Sequence, residues 1–359
     1  MYLSRRQMLA STISALGLAS AGQAAASEGG AATSLVDAFA RTQAFHGVIA
    51  VWVAGRPVIS RAYGRSDFRD QAPASQSSTY AIGSISKWFT AALVLRLVEL
   101  GKLRLDTPLS VLLPEFPVSS GANVTLAHLL SNTSGLPDLL MPAAKADAGL
   151  RTSTATAAEI VSRFAPANAS FAPGSGFDYA FMNWVIVRAV VEGQTGATFE
   201  ALAQTLLFGP AGLQGTGIAT RGFEGVPGLV PAFDGASAEA ALDMTTCFGY
   251  GAASGTFYST ASDLLTFADQ VLSGGLLSRH SRQDLLAVRH ADQSYALGGR
   301  VRTGDLGSIA WETGSVGGYK SLLAYRLADR RAVAVLNNTD MSQDMINDLA
   351  TSIFALSTL

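Results

Sequence analysis

Short apolar runs bounded by turn residues lie near both ends of this 359-residue chain, and longer runs with helical apolar spacing fill its middle. Residues 47–53 and 57–63 read as two strands joined at Ala54-Gly55-Arg56, behind a helix over 32–44. Helical spacing recurs over 88–100, 126–131, 157–164, 183–192, 199–207 and 261–272, broken by Pro and Gly. Strands return at 309–312, 319–327 and 332–337, and 342–356 reads as a closing helix. Strands from both termini around a helical middle predict an α+β fold. Its antiparallel sheet is built from N- and C-terminal strands and flanked by helices, and a mainly helical lobe is inserted between them.

Composition narrows the functional classes. The 25 basic and 27 acidic residues leave a formal charge of −2, which gives a nucleic-acid partner no electrostatic support. A single cysteine, Cys247, precludes an intramolecular disulfide or a cysteine metal site. No His, Asp or Glu cluster has metal-ligand spacing, and no cofactor is expected.

The N-terminus reads as an address. Arg5-Arg6 precedes a mildly apolar, small-residue stretch and then Ala24-Ala25-Ala26-Ser27, the pattern of a twin-arginine export signal with a cleavage site. The expectation is a signal over 1–26, a single catalytic domain over 27–359, no stable membrane anchor after cleavage, and a periplasmic or secreted product. The alternative is an uncleaved anchor, against which the short, Gly-, Ser- and Ala-rich run argues.

The candidate chemistry lies at Ser84-Ile85-Ser86-Lys87, where a long apolar run begins. One helical turn puts Ser84 and Lys87 on the same face. A helix start also favours the negative charge that develops when a serine attacks a carbonyl. Of the four lysines, Lys87, Lys102, Lys145 and Lys320, Lys87 alone has a serine at this offset. The reading is a serine nucleophile with a lysine base; the alternative is a surface lysine on a capped helix. His46, His280 and His290 occupy polar or turn contexts and His128 an apolar one, so a Ser-His-Asp site has less support.

Several ordered segments resemble the serine β-lactamase and penicillin-binding superfamily, in its class C β-lactamase-like branch, which includes D,D-carboxypeptidases, D-aminopeptidases and esterases. They are residues 79–91 around Ser84, the Gly101–Asp106 turn, 124–137, 173–179, and 254–264. The resemblance implies that Ser84 is the nucleophile, that Lys87 helps take its proton, and that Tyr179 relays that proton. It also implies an oxyanion hole from the backbone N–H groups of Ser84 and Ser315. Phe181, Asn183, Glu312, Thr313 and Gly314 are implied as substrate-binding positions.

Two positions depart from the family pattern. Phe181 stands where the Y-x-N motif has asparagine, and Asn183 follows two residues on. Trp311-Glu312-Thr313-Gly314 stands where Lys-Thr-Gly or His-x-Gly is usual, so Glu312 replaces a cation. In the cleft, Glu312 would favour protonated Lys87 and neutral Tyr179 and repel anionic substrates; the alternative is a Glu312 paired with an arginine or lysine. Lys320, Arg300 and Arg302 are candidates to restore the charge. The expected function is a secreted serine hydrolase acting through an acyl-enzyme on ester or amide bonds, an esterase or D-amino-acid amidase or peptidase, with a small-molecule or peptide substrate. A β-lactamase or D,D-carboxypeptidase is the alternative within enzymes. A penicillin- or cell-wall-fragment-binding protein with little turnover is the alternative outside them.

Overall fold

The computed structural model describes residues 30–235, 241–242 and 248–357. The Arg5-Arg6 segment and Cys247 lie outside the described residues.

Strands β1 (Gly47–Val53) and β2 (Arg56–Tyr63) form a hairpin, as the turn at 54–56 predicts. Three short strands follow, β3 (Tyr80–Ala81), β4 (Gly217–Ile218) and β5 (Phe257–Ser259), and form a small sheet in the order β3-β5-β4. The C-terminal strands are β6 (Arg300–Gly304), β7 (Gly307–Val316), β8 (Tyr319–Arg326) and β9 (Arg331–Asn337). They join the first hairpin in a six-stranded sheet, β2-β1-β9-β8-β7-β6. The β1–β9 pairing, Gly47 opposite Asn337 through Val53 opposite Arg331, is the seam where the two ends of the chain meet. The sheet predicted from the termini is therefore present, with all its pairs antiparallel.

Side chains alternate across the pleat, and this sorts the two faces. Ile309 and Trp311 of β7 pack with the 30–42 helix and the Gln343–Ala355 helix. Ala310 of β7 packs in the larger core with the Ser86–Glu99, Phe181–Thr195 and Ala261–Leu272 helices. The Ser86–Glu99 helix is buried on nearly all sides, from Ser86 through Leu95 and again at Leu97. A helix apolar all round needs such a central position. It directs Lys87 inward between the sheet and the lobe.

Three local features differ from the sequence reading. Strand β6 was not expected, because its Arg-Val-Arg-Thr-Gly run is half-buried to exposed and carries little hydrophobic signal. The helix from Phe199 loosens after Ala203 into a π-helical turn, Gln204–Phe208. Ser84 sits in a single 3-10 turn, Gly83–Ile85, just ahead of the α-helix that begins at Ser86.

Candidate active site

The turn that carries Ser84 is pinned by backbone contacts on two sides. Ile82 N–H donates to Phe257 O at 2.9 Å, joining the turn to β5. Gly314 of β7 lies so close beneath it that an added Cβ would sit 1.9 Å from Ile82 O. Gly83 has φ +50°, a conformation that glycine adopts without a Cβ penalty, and a Cβ there would lie 2.7 Å from Ser315 N. Ser86 is fully buried; its hydroxyl donates to Gly83 O at 2.6 Å and accepts from Phe257 N–H at 3.2 Å. Ser86 thus braces the turn, and Ser84 is the hydroxyl presented to the cavity.

The β7–β8 hairpin sets the second backbone donor. Val316 lies opposite Tyr319 across the two-residue Gly317-Gly318 turn, and Ser315 lies opposite Lys320. Bonded and non-bonded pairs alternate along an antiparallel ladder, and the pair closing a two-residue turn is bonded. Ser315 N–H therefore points away from β8, on the side where β6 has already ended opposite Trp311. The close approach of Gly83 brings that N–H to the edge of the Ser84 turn.

Lys87 Nζ donates to Ser84 Oγ at 3.0 Å and to Ser254 O at 2.7 Å. It also lies 4.9 Å from the centroid of the Tyr179 ring and 5.6 Å from that of Trp184. Lys87 is 5% exposed, and burial pulls its pKa well below the ordinary lysine value. Glu312 pushes it back up, and burial, with Arg300 acting in the same direction, outweighs that. The expectation that Glu312 keeps Lys87 protonated is thus opposed by desolvation, the larger effect.

Tyr179 is partly exposed and shares the cavity with Ser84 and Lys87, its phenol on the Ser84 side. Burial of the hydroxyl, and next the Glu312 charge, raise its pKa far above the usual tyrosine value, against the smaller opposing influences of Ser84 and Arg300. A neutral phenol is the resting state. Tyr295 stands edge-on to the ring, with centroids 6.2 Å apart. The loop carrying Tyr179 is anchored by Asp138, whose Oδ2 accepts from Phe181 N–H at 2.7 Å while Oδ1 accepts from Met141 N–H at 2.9 Å. One carboxylate therefore caps two helix starts.

A cavity of about 290 Å³ opens over these groups, with Ser84, Lys87, Tyr179, Ser254 and Ser315 in its lining. Phe181, Phe223, Phe248 and Val316 supply its apolar lining. Of the five positions implied as substrate-binding, Phe181 alone lines the cavity. Asn183 is fully buried behind it, accepting from Ser134 Oγ at 2.7 Å and donating to Asn132 Oδ1 at 3.2 Å. Thr313 alternates onto the face of Trp311, away from Ser84. Gly314 meets the Ser84 turn through its backbone. Glu312 is 1% exposed, beneath the site, with both oxygens 3.2 Å from Arg300 Nη1. Burial pushes its pKa up against the pull of Arg300 and Lys87.

The other candidate cations are engaged elsewhere. Lys320 donates to Ser315 Oγ at 2.9 Å and pairs with Asp340 at 3.0 Å. Arg302 lies over the Trp311 ring on the far face of the sheet. His128 forms a capping box with Thr125 outside the cavity. Ser254 O and the Phe223 and Phe248 rings were not anticipated as site groups. A main-chain carbonyl leaves no residue-type signal, and the two rings come from segments without the motif.

These elements define a β-lactamase-type fold with a serine and a lysine at the junction of sheet and helical lobe. The chain belongs to the Beta-lactamase family, whose description matches residues 32–355. Among curated relatives, "Esterase EstB" of Burkholderia gladioli is 34% identical over 174 residues, 45% of this chain and 44% of that protein. A "D-aminopeptidase" of Cereibacter sphaeroides is 31% identical over 172 residues, 47% of this chain and 32% of that protein. The matched stretch spans less than half the length of either relative. In structure, "EstCE1, a hydrolase with promiscuous acyltransferase activity" is similar with a TM-score of 0.78 at 20% identity, covering 91% of this chain and 99% of that one. The penicillin binding protein from Bacillus halodurans gives a TM-score of 0.78 at 23% identity, covering 88% and 98%.

Proposed function

We propose that this protein is a serine hydrolase that forms an acyl-enzyme at Ser84 from ester or amide substrates. The observation that carries the reading is the 3.0 Å contact between Lys87 Nζ and Ser84 Oγ, made by a lysine whose burial favours its neutral form. A neutral amine at that distance can accept the hydroxyl proton as Ser84 attacks a carbonyl. The carbonyl oxygen becomes an oxyanion facing the backbone N–H groups of Ser84 and Ser315, donors already fixed in the turn and the hairpin. Tyr179, neutral at rest and beside Ser84 and Lys87 in the cavity, passes a proton to the leaving group and recovers one from Lys87. Water then attacks the acyl-enzyme and regenerates Ser84.

Among the described residues Lys87 is the one cationic group in the lining and is committed to Ser84 and Ser254, while Phe181 and the Arg300-paired Glu312 add none, so esters and D-amino-acid amides suit the cavity better than penicillins or peptidyl-D-alanine. The names of the esterase and D-aminopeptidase relatives are in keeping with that choice. A panel of chromogenic esters, D-amino-acid anilides and a cephalosporin, followed by intact mass, tests it. Rapid ester turnover that is lost in Ser84→Ala supports the reading. A stable penicillin adduct without ester turnover would replace it with a binding role. The Arg5-Arg6 segment is proposed to direct the chain through twin-arginine export.

A further inference from the structure

The lining of the Ser84 cavity combines polar groups with an aromatic surface. The aromatic surface is built on Phe181. A Cβ on Gly251 would lie 2.3 Å from Phe181 Cζ, so that glycine leaves the space the ring occupies. The Phe248 ring packs against it from the side, with centroids 5.2 Å apart at 54°. At its other end Phe181 is held by its N–H bond to Asp138. The ring is a fixed surface, with Phe223 and Val316 completing the wall.

Size and charge limit what this wall can hold. An apolar cavity of about 150 Å³ accommodates benzene. The 290 Å³ here leaves room for one such ring together with the scissile carbonyl. Among the described residues Lys87 is the one lining side chain that carries a cationic group, and it is bonded to Ser84 and Ser254. Arg300 is tied to Glu312, and Lys320 to Asp340. A carboxylate brought into the cavity would lose water and find no cation of its own.

We propose that Phe181, seated on Gly251 and Phe248, is the specificity-determining residue of this site. It selects substrates that carry an uncharged aromatic or branched apolar group beside the scissile carbonyl. The inference rests on acylation of Ser84 and names the substrate class that this chemistry serves.

The test compares kcat/KM for methyl acetate with that for methyl phenylacetate and its isomer benzyl acetate, each normalised to its alkaline hydrolysis rate. The isomers place the same ring on the acyl or the leaving-group side. Monomethyl phenylmalonate adds a carboxylate to the first of them. The expected result is that at least one aromatic ester exceeds methyl acetate by about 10-fold or more, the scale of a small apolar group in a fitted pocket. That ratio falls by a similar factor in Phe181→Asn, and by less in Phe181→Leu, which keeps an apolar side chain and guards against a misfolded variant. The carboxylate ester is turned over at least about 10-fold less well than methyl phenylacetate. An aromatic ratio unchanged in both variants, or equal turnover of the carboxylate ester, overturns the proposal. A fluorophosphonate label on Ser84 separates the two levels. With the label present and the ratios flat, the specificity claim alone fails; with no label on Ser84, the acylation reading fails as well.

Discussion

Glu312 and Arg300 form a two-point ion pair beneath the nucleophile, with both carboxylate oxygens 3.2 Å from one guanidinium nitrogen. Alternation along β7 puts Glu312 on the Lys87 side of the sheet, and the neighbouring strand β6 supplies the arginine from Arg300, opposite Trp311. The acidic residue at this position therefore acts on the site from below, through its field, and its charge is balanced where it is made. In Glu312→Gln, Lys87 and Tyr179 both lose the influence that raises their pKa values. The acid limb of the kcat/KM profile should then move to lower pH. The same variant weakens the bond to Arg300 and should cost about 1–3 kcal/mol in thermal or denaturant unfolding. An unmoved profile with normal stability would show that the pair does not act on Lys87.

Gly314 has no room for a side chain. A Cβ there would meet Ile82 O at 1.9 Å and Ser321 Oγ at 2.3 Å, and the Ser84 turn would have to lift. Gly314→Ala should displace Ser84 from Ser315 N–H and lower kcat by about 10²- to 10³-fold, the scale of one lost oxyanion donor. Crowding should also lower stability by about 1–3 kcal/mol. Steady-state kinetics beside a melting curve check both.

Most of the sheet and the longer helices were legible because their apolar spacing coincides with burial. Ala157–Phe164 and Ala261–Leu272 appear with the bounds their periodicity predicts. Strand β6 was not, because an edge strand of Arg and Thr is patterned like a loop. Ser84 and Lys87 were legible as a local motif one turn apart. A paired Glu312 was one of the two readings and Arg300 one of three candidate cations; which of the three reaches it was not legible, since the strand pairing that brings Arg300 there is not encoded in residue spacing. The same limit applies to Asn183, for which the resemblance implied substrate contact but whose partners are Ser134 and Asn132 in the interior.

Tyr179→Phe removes the phenol beside Ser84 while keeping the ring that packs near Lys87 and Tyr295. Turnover of esters should fall by about 10²-fold, with near-native stability. Rates close to the parent would assign leaving-group protonation to Lys87 or to water.

Replacing Arg5 and Arg6 with lysine should leave a folded precursor in the cytoplasm, because the paired arginines are what the export machinery reads. Fractionation with an antibody to the folded domain checks this. Normal export of the lysine variant would assign the chain to another route.

The central claim is that buried Lys87 removes the proton of Ser84. The direct measurement is the rate of covalent labelling by a fluorophosphonate as a function of pH, with the modified residue located by peptide mass spectrometry. The label should fall on Ser84 and be absent in Ser84→Ala. Its rate should rise with pH through a transition well below the ordinary lysine pKa of about 10.4, since burial depresses that of Lys87. In Lys87→Ala that transition should disappear and the rate fall by about 10²-fold or more. A label on another residue, or an unchanged rate and profile in Lys87→Ala, would contradict the account.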